Sequence, residues 1–160
     1  MTHPHTTTHA RAGDTVLTFR REFDAPAELV FRCHTEEALF VRWMGPRGTS
    51  CSVERFDAAT GGAFRYTIGA GGGAGYTFFG SYHEVSPGRI VHTWEFEGEP
   101  GRPTLETLRI VPLAAGRCAL EGTSVYTSIE HCAEMLDFDE SGDGMDENFE
   151  RLDVLLQTLA

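Results

Sequence analysis

Hydrophobic positions follow two different periods along the chain. Between Thr15 and Tyr126 they recur mainly at every second residue, the signature of half-buried strands. After Gly144 they recur every three or four residues, as on one face of a helix. Thr15 to Phe23, TVLTFRREF, mixes β-branched and aromatic residues and reads as the first strand. Asp24-Ala25-Pro26 ends it. Proline is tolerated in the first turn of a helix, and Glu28 suits the positive helix start. Leu29, Val30 and Phe31 then predict a short helix to about Cys33. Thr35 can cap a second short helix carrying Ala38, Leu39, Val41 and Trp43, which Gly45-Pro46 terminates.

Strand and turn signals alternate from there. Ser50–Phe56, Phe64–Ile68, Tyr76–Val85, Arg89–Glu97, Thr104–Val111 and Arg117–Tyr126 are six candidate strands joined by short connections. They predict an antiparallel meander of about seven strands once the first strand joins it. Met145, Phe149, Leu152, Leu156 and Leu159 form one stripe on a helix of about four turns. Asp143 is its expected N-cap, with Asp146 and Glu147 in the first turn. The segment before the acidic loop, His131–Leu136, is expected to make one and a half helical turns at most. The order is therefore strand, two short helices, six strands, long helix. This is an α+β fold whose sheet must bury one face against the terminal helix. Residues 1–13 are expected to form a disordered tail and residues 14–160 a single domain, a length suited to one sizeable core.

The charge pattern removes whole function classes. The chain holds 13 basic residues against 24 acidic, a formal net charge of -11, and all 13 are arginine. Without lysine there is no Schiff-base nucleophile and no Walker A phosphate lysine. So acidic a chain, with no basic stripe, is not expected to bind nucleic acid or anionic membranes. No apolar run is long enough to cross a bilayer, and the N-terminus lacks a signal-peptide core. Cys33, Cys51, Cys118 and Cys132 are widely spaced and read as reduced, apolar packing residues, with a disulfide pair as the minor alternative. Together these point to a cytoplasmic protein.

Three local motifs have an eye-catching reading and a plainer one. Gly69 to Gly75, GAGGGAG, loosely matches a dinucleotide-binding loop, but that mechanism requires a helix to follow, and an aromatic strand follows instead. A hairpin turn is expected. Asp137 to Asn148 matches an EF-hand loop at Asp137, Asp139, Ser141 and Gly142. Asn148 stands where the bidentate Glu belongs, so an acidic loop capping a helix is the simpler reading. The histidines show no zinc spacing, and no metal or cofactor is expected.

The aromatic residues carry more information. Tyr76, Phe78 and Tyr82 share one strand parity, as do His92, Trp94 and Phe96. Such side chains either fill a solid core or line an incompletely filled one that admits a ligand.

Several segments resemble a known family. Phe23-Asp24-Ala25-Pro26-Ala27-Glu28-Leu29-Val30-Phe31 is similar to the opening of START-like (SRPBCC) domains. Arg42-Trp43-Met44-Gly45-Pro46 and Phe56-Asp57-Ala58-Ala59-Thr60-Gly61-Gly62-Ala63-Phe64 resemble the signature of one branch, the C-terminal domain of the activator of Hsp90 ATPase. Gly80–Val85, Ile90–Trp94 and the terminal helix fit the same branch. The resemblance implies a helix-grip fold, a curved antiparallel sheet wrapped round a long C-terminal helix with a cavity between. Two departures bear on the cavity's shape. Met44 stands where the family usually has a second Trp, and Asn148-Phe149 where it has Gly-Trp.

Three functions follow from the resemblance and the pattern. The first is binding of a small hydrophobic or amphipathic molecule in the cavity. Trp43, Phe64, Tyr66, Phe78 and Tyr82 are candidate lining residues, with His92, Trp94, Tyr126, Met145 and Phe149 completing the set. The second is an enzyme akin to polyketide cyclases and aromatases. Its acid or base would come from His92, Arg109, Glu121 or Tyr126, although no recognisable catalytic constellation is present. The third is stimulation of Hsp90. The eukaryotic activator has a further N-terminal domain, replaced here by about a dozen tail residues, so Hsp90 is not an expected partner. A homodimer is compatible with the sequence.

Overall fold

A computed structural model describes residues 7–69, 75–140 and 145–160. One antiparallel sheet holds eight strands in the order β1-β2-β8-β7-β6-β5-β4-β3. They are β1 (Thr8–Arg11), β2 (Val16–Phe23), β3 (Ser50–Phe56), β4 (Ala63–Gly69), β5 (Tyr76–Ser86), β6 (Arg89–Phe96), β7 (Thr104–Pro112) and β8 (Cys118–Val125). The helices are α1 (Ala27–Thr35), α2 (Glu37–Phe40), α3 (Ile129–Glu140) and α4 (Met145–Leu159). This is the α+β order that the sequence pattern predicts and the helix-grip fold that the resemblance implies, with eight strands rather than about seven.

The topology explains the position of the short helices. β2 pairs with β8, from Val16↔Val125 to Phe23↔Cys118. β3 lies six strand spacings away at the far edge, about 29 Å for a flat sheet. The segment from Asp24 to Thr49 therefore has to cross the sheet, and α1 and α2 make that crossing over its inner face. The meander β3 to β8 then returns to the starting edge.

Inward-facing positions alternate as the sequence parity requires. Leu17, Phe19, Arg21 and Phe23 on β2 are all buried, as are Leu108 and Ile110 on β7 and Cys118 and Leu120 on β8. α4 covers this face with Phe149, Leu152, Leu155 and Leu156, except at Leu17, which packs against Cys132 of α3. Phe149 is the hub, with ring centroids 5.8 Å from Phe19, 5.6 Å from Phe23 and 6.4 Å from Trp43.

One ion pair ties β2 to the last helix. Arg21 is 2% exposed and occupies an inward position on β2. Its guanidinium donates to both carboxylate oxygens of Asp153 on α4, at 2.7 and 2.6 Å, and lies 4.7 Å from the centre of the Phe23 ring.

A second arginine fixes the Arg42–Arg47 turn. Arg151 Nη1 donates to the carbonyls of Gly45 at 2.6 Å, Pro46 at 3.2 Å and Met44 at 3.3 Å, and Nη2 to that of Arg42 at 3.3 Å. Gly45 has φ +104, and a Cβ there would stand 2.7 Å from Thr49 Oγ1, so only glycine fits the turn. Arg151→Ala is expected to free four carbonyls, cost about 1–3 kcal/mol and speed amide exchange over residues 44–49. Unchanged protection in hydrogen-exchange mass spectrometry would contradict this.

Three expectations need correction. Thr8–Arg11 is not part of a disordered tail but strand β1, paired with β2 from Thr8↔Arg20 to Arg11↔Leu17. Backbone pairing and contact with α3 hold it, neither of which needs an apolar side-chain pattern. Residues 1–6 of the expected tail lie outside the described residues. Thr35 does not cap the second helix. It ends α1, its hydroxyl donating to the Phe31 carbonyl, and α2 starts from Glu36 without a side-chain cap. The helix before the acidic loop runs for 12 residues, not one and a half turns. Cys132, buried against Leu17 and Tyr126 with Met135 and Leu136 beside it, provides the packing that extends it. The expected N-cap Asp143 and the centres of the glycine and acidic loops lie outside the described residues. β4 and β5 pair directly as a hairpin across the glycine run, with Ile68↔Tyr76 the last pair before it.

Candidate ligand site on the inner face of the sheet

The inner face is not apolar throughout. The cross-strand pairs Tyr82↔His92, His92↔Glu106, Glu106↔Ser124 and Leu17↔Ser124 place five side chains in one row across β5, β6, β7, β8 and β2. Three of them form a polar chain. His92 Nε2 lies 3.1 Å from Glu106 Oε1, and Ser124 Oγ donates to Glu106 Oε2 at 3.1 Å. His92 Nδ1 lies 3.1 Å from the Thr93 carbonyl oxygen. Both ring nitrogens thus face acceptors, a geometry that only the doubly protonated imidazolium satisfies.

The electrostatics agree. Burial by itself lowers the pKa of His92, but the hydrogen bond and charge of Glu106 outweigh it and raise the pKa above the ordinary histidine value. His34, at the end of α1, goes the other way. Burial dominates and lowers its pKa, against an opposing hydrogen bond between Nδ1 and the Val30 carbonyl at 2.8 Å. At neutral pH His34 is therefore neutral and packs against Trp43 with ring centroids 5.0 Å apart.

In a histidine NMR titration His92 should have its midpoint above about 6.5 and His34 below it. The raised His92 pKa contributes stability that is full below about pH 6.5 and is lost as pH rises through its folded-state value. The lowered His34 pKa acts in the opposite sense, removing stability as pH falls below about 6.5. A His92 midpoint below the ordinary value would contradict the assigned ion pair.

The aromatic candidates gather around this row. Phe64 and Tyr82 are buried, with ring centroids 5.8 and 5.9 Å from the His92 ring. Tyr66 stacks on Phe64, and Phe78 bridges Tyr66 and Trp94. Tyr66, Trp94 and Met145 are partly buried against the main core, while Trp43 and Phe149 lie fully within it. Burial pushes the Tyr66 and Tyr82 phenols well above their usual pKa, so both remain protonated. Tyr126 does not join them. It belongs to a separate cluster with Leu17 and Cys132, its ring 4.9 Å from that of His131.

The remaining catalytic candidates lie on the other side of the sheet. Arg109 and Glu121 are outward-facing and sit 3.9 Å apart, with Arg20 3.7 Å from Glu121. They line a groove of about 340 Å³ on the outer face, together with Thr8, Thr18, Thr107 and Thr123. All four cysteines are free, and burial pushes the Cys33, Cys51 and Cys118 thiols up to about 11, far from a reactive thiolate. No group of three or more metal-ligating side chains occurs among the described residues.

Glu106 and Ser124 were not singled out from the sequence, although a signal existed. Both sit on the parity of buried neighbours, Glu106 with Thr104, Leu108 and Ile110, and Ser124 with Cys118 and Leu120. A carboxylate on the apolar parity of a central strand marks an inner-face polar site.

The model of one family, described as activator of Hsp90 ATPase homolog 1-like protein, matches residues 24–157. The chain belongs to this family. Members of the Hsp90 ATPase activator homolog 1-like family thus share the segment from the end of β2 to the last turn of α4. Among solved structures, a Rhodobacter sphaeroides protein is 26% identical, with TM-score 0.85 over 96% of this chain and 99% of its own. A Chromobacterium violaceum protein is also 26% identical, with TM-score 0.73 over 88% of this chain and 96% of its own. A Staphylococcus epidermidis protein at 24% identity shares the fold, with TM-score 0.80 over 94% of each chain. No protein of curated function matches. The two departures from the family's pattern meet in space, since Asn148 Nδ2 lies 3.8 Å from Met44 Sδ.

Proposed function

We propose that this protein binds a small hydrophobic or amphipathic molecule between the inner sheet face and the helices. One observation carries the proposal. Tyr66, Phe78, His92, Trp94 and Glu106 all point inward, yet each keeps partial exposure, whereas Phe64, Tyr82, Ile90 and Leu108 beside them are buried. The helices leave an aromatic patch with a polar edge uncovered, which is the composition of a small-molecule pocket. Family membership points the same way.

A bicyclic aromatic burying about 200 Å² would gain about 5 kcal/mol before association costs, so binding by the simplest probes falls in the submillimolar to millimolar range. Thermal-shift measurements test the proposal. Naphthalene-scale aromatics should raise the unfolding midpoint in a concentration-dependent way. No shift up to the solubility limit would refute it.

Acid–base catalysis is a second reading supported by one residue. Of the four candidates, His92 alone holds a proton on the wall of this patch. If a substrate is turned over, His92→Ala should abolish turnover and Arg109→Ala should not. Stimulation of Hsp90 rests on the family's description alone.

A further inference from the structure

The polar row has already used its donors. His92 directs both ring N–H groups at acceptors, Glu106 and the Thr93 carbonyl, and the Ser124 hydroxyl donates to the other Glu106 oxygen. A carboxylate accepts about four hydrogen bonds, and two are taken. What the row offers to the inner space is spare acceptor capacity on Glu106, whose side chain retains 15% exposure beside 13% for His92.

The charges of the row also cancel. With both ring nitrogens protonated, as their two acceptors favour, His92 and the Glu106 carboxylate 3.1 Å away form a net-neutral pair. An ionic ligand entering the adjoining low-dielectric space would bring a charge with nothing left to balance it, at a large desolvation cost. The walls are ring faces and edges of Phe64, Tyr66, Phe78, Tyr82 and Trp94, which favour a flat partner.

We infer that the ligand is an uncharged planar aromatic bearing a hydroxyl group, which donates its hydrogen bond to Glu106. This deepens the binding reading above and rests on it. Glu106 becomes the residue that selects among aromatic ligands, and His92 and Ser124 position its carboxylate.

Titration of the intact protein with four naphthalene probes tests the inference. They are 2-naphthol, its methyl ether 2-methoxynaphthalene, 2-naphthoate and the 2-naphthylmethylammonium ion. The naphthol should bind about ten- to a hundred-fold more tightly than the ether, which has nearly the same shape and no donor. Both ions should bind more weakly than the naphthol. In Glu106→Leu the preference for naphthol over ether should fall to within about three-fold, with ether affinity retained. If that variant fails to fold, the wild-type comparison decides alone. Equal binding of naphthol and ether, or tighter binding of either ion, overturns this inference and leaves the binding reading standing. Failure of all four probes to bind overturns both.

Discussion

Replacing Asp153 with alanine should cost about 3 kcal/mol of folding stability. Its partner Arg21 is 2% exposed and donates to both carboxylate oxygens at 2.6 and 2.7 Å. Removing the carboxylate leaves the guanidinium beneath α4 with only the Glu22 carbonyl at 3.1 Å and the face of the Phe23 ring. Breaking a buried pair by deleting one partner typically costs about 3–5 kcal/mol, and the lower end applies because Asp153 keeps 28% exposure. Against a total stability of about 5–15 kcal/mol, this is a large fraction. Asp153→Asn should cost less, since the amide oxygen still accepts one bond. The double variant Arg21→Met/Asp153→Leu should recover much of the loss, because an apolar pair of similar volume needs no charge compensation. Urea denaturation gives the values. A cost under about 1 kcal/mol for Asp153→Ala would show that the pair does not anchor α4.

Trp43→Ala should cost about 3–5 kcal/mol. Trp43 is 2% exposed and packs on Phe149, Phe40 and His34, at the point where the crossing segment meets α4. Its indole N–H also donates to the Cys33 carbonyl at 2.9 Å, so alanine would leave a cavity and strip a buried acceptor of that bond. Trp43→Phe should fall between wild type and alanine, since it restores ring packing but not the donor. Trp94→Ala is the control. That side chain is only partly buried against the core, and its loss should cost less than half as much by the same denaturation assay. Equal costs for the two tryptophans would mean that the inner face is packed uniformly and has no open patch.

Strand parity made most of this architecture legible. Ser50–Phe56 is strand β3 to the residue, and the other five strands of the meander differ from their expected limits by one or two positions at most. β1 escaped because Thr-His-Ala-Arg has no apolar alternation; what orders it is backbone pairing to β2. The length of α3 escaped because its buried face packs on Leu17, more than a hundred residues away in sequence, as well as on Tyr126 just before the helix. The candidate site was half legible. Shared strand parity groups Phe64 with Tyr66, Phe78 with Tyr82 and His92 with Trp94, but it does not say which face of the sheet points inward. Reading each strand for aromatics missed that Glu106 stands directly across from His92 and Ser124 across from Glu106, because register between strands is not written in any one strand. The same blindness hid the pairing of Arg21 with Asp153. Asp153 follows Phe149 by four positions and so lies on the apolar face of α4, a place where a carboxylate needs a cation. Tyr126 was grouped with the other aromatics by residue type, but it lies beyond the end of β8 and packs under α3.

The inner face has two unlike parts. Phe149, Trp43 and the Arg21–Asp153 pair hold the terminal helix down at one side. At the other, Tyr66, Phe78, Trp94 and the His92–Glu106 pair remain partly uncovered and are the proposed site for an aromatic guest.

The most direct test uses the chain's two tryptophans, Trp43 and Trp94, as reporters. In an NMR titration with 2-naphthol, the Trp94 indole resonance should shift progressively to saturation. The Trp43 indole, sealed in the core and bonded to the Cys33 carbonyl, should stay in place. Shifts confined to the outer-face amides of Thr18, Thr107 and Thr123, with the Trp94 indole unmoved, would contradict a binding site on the inner face.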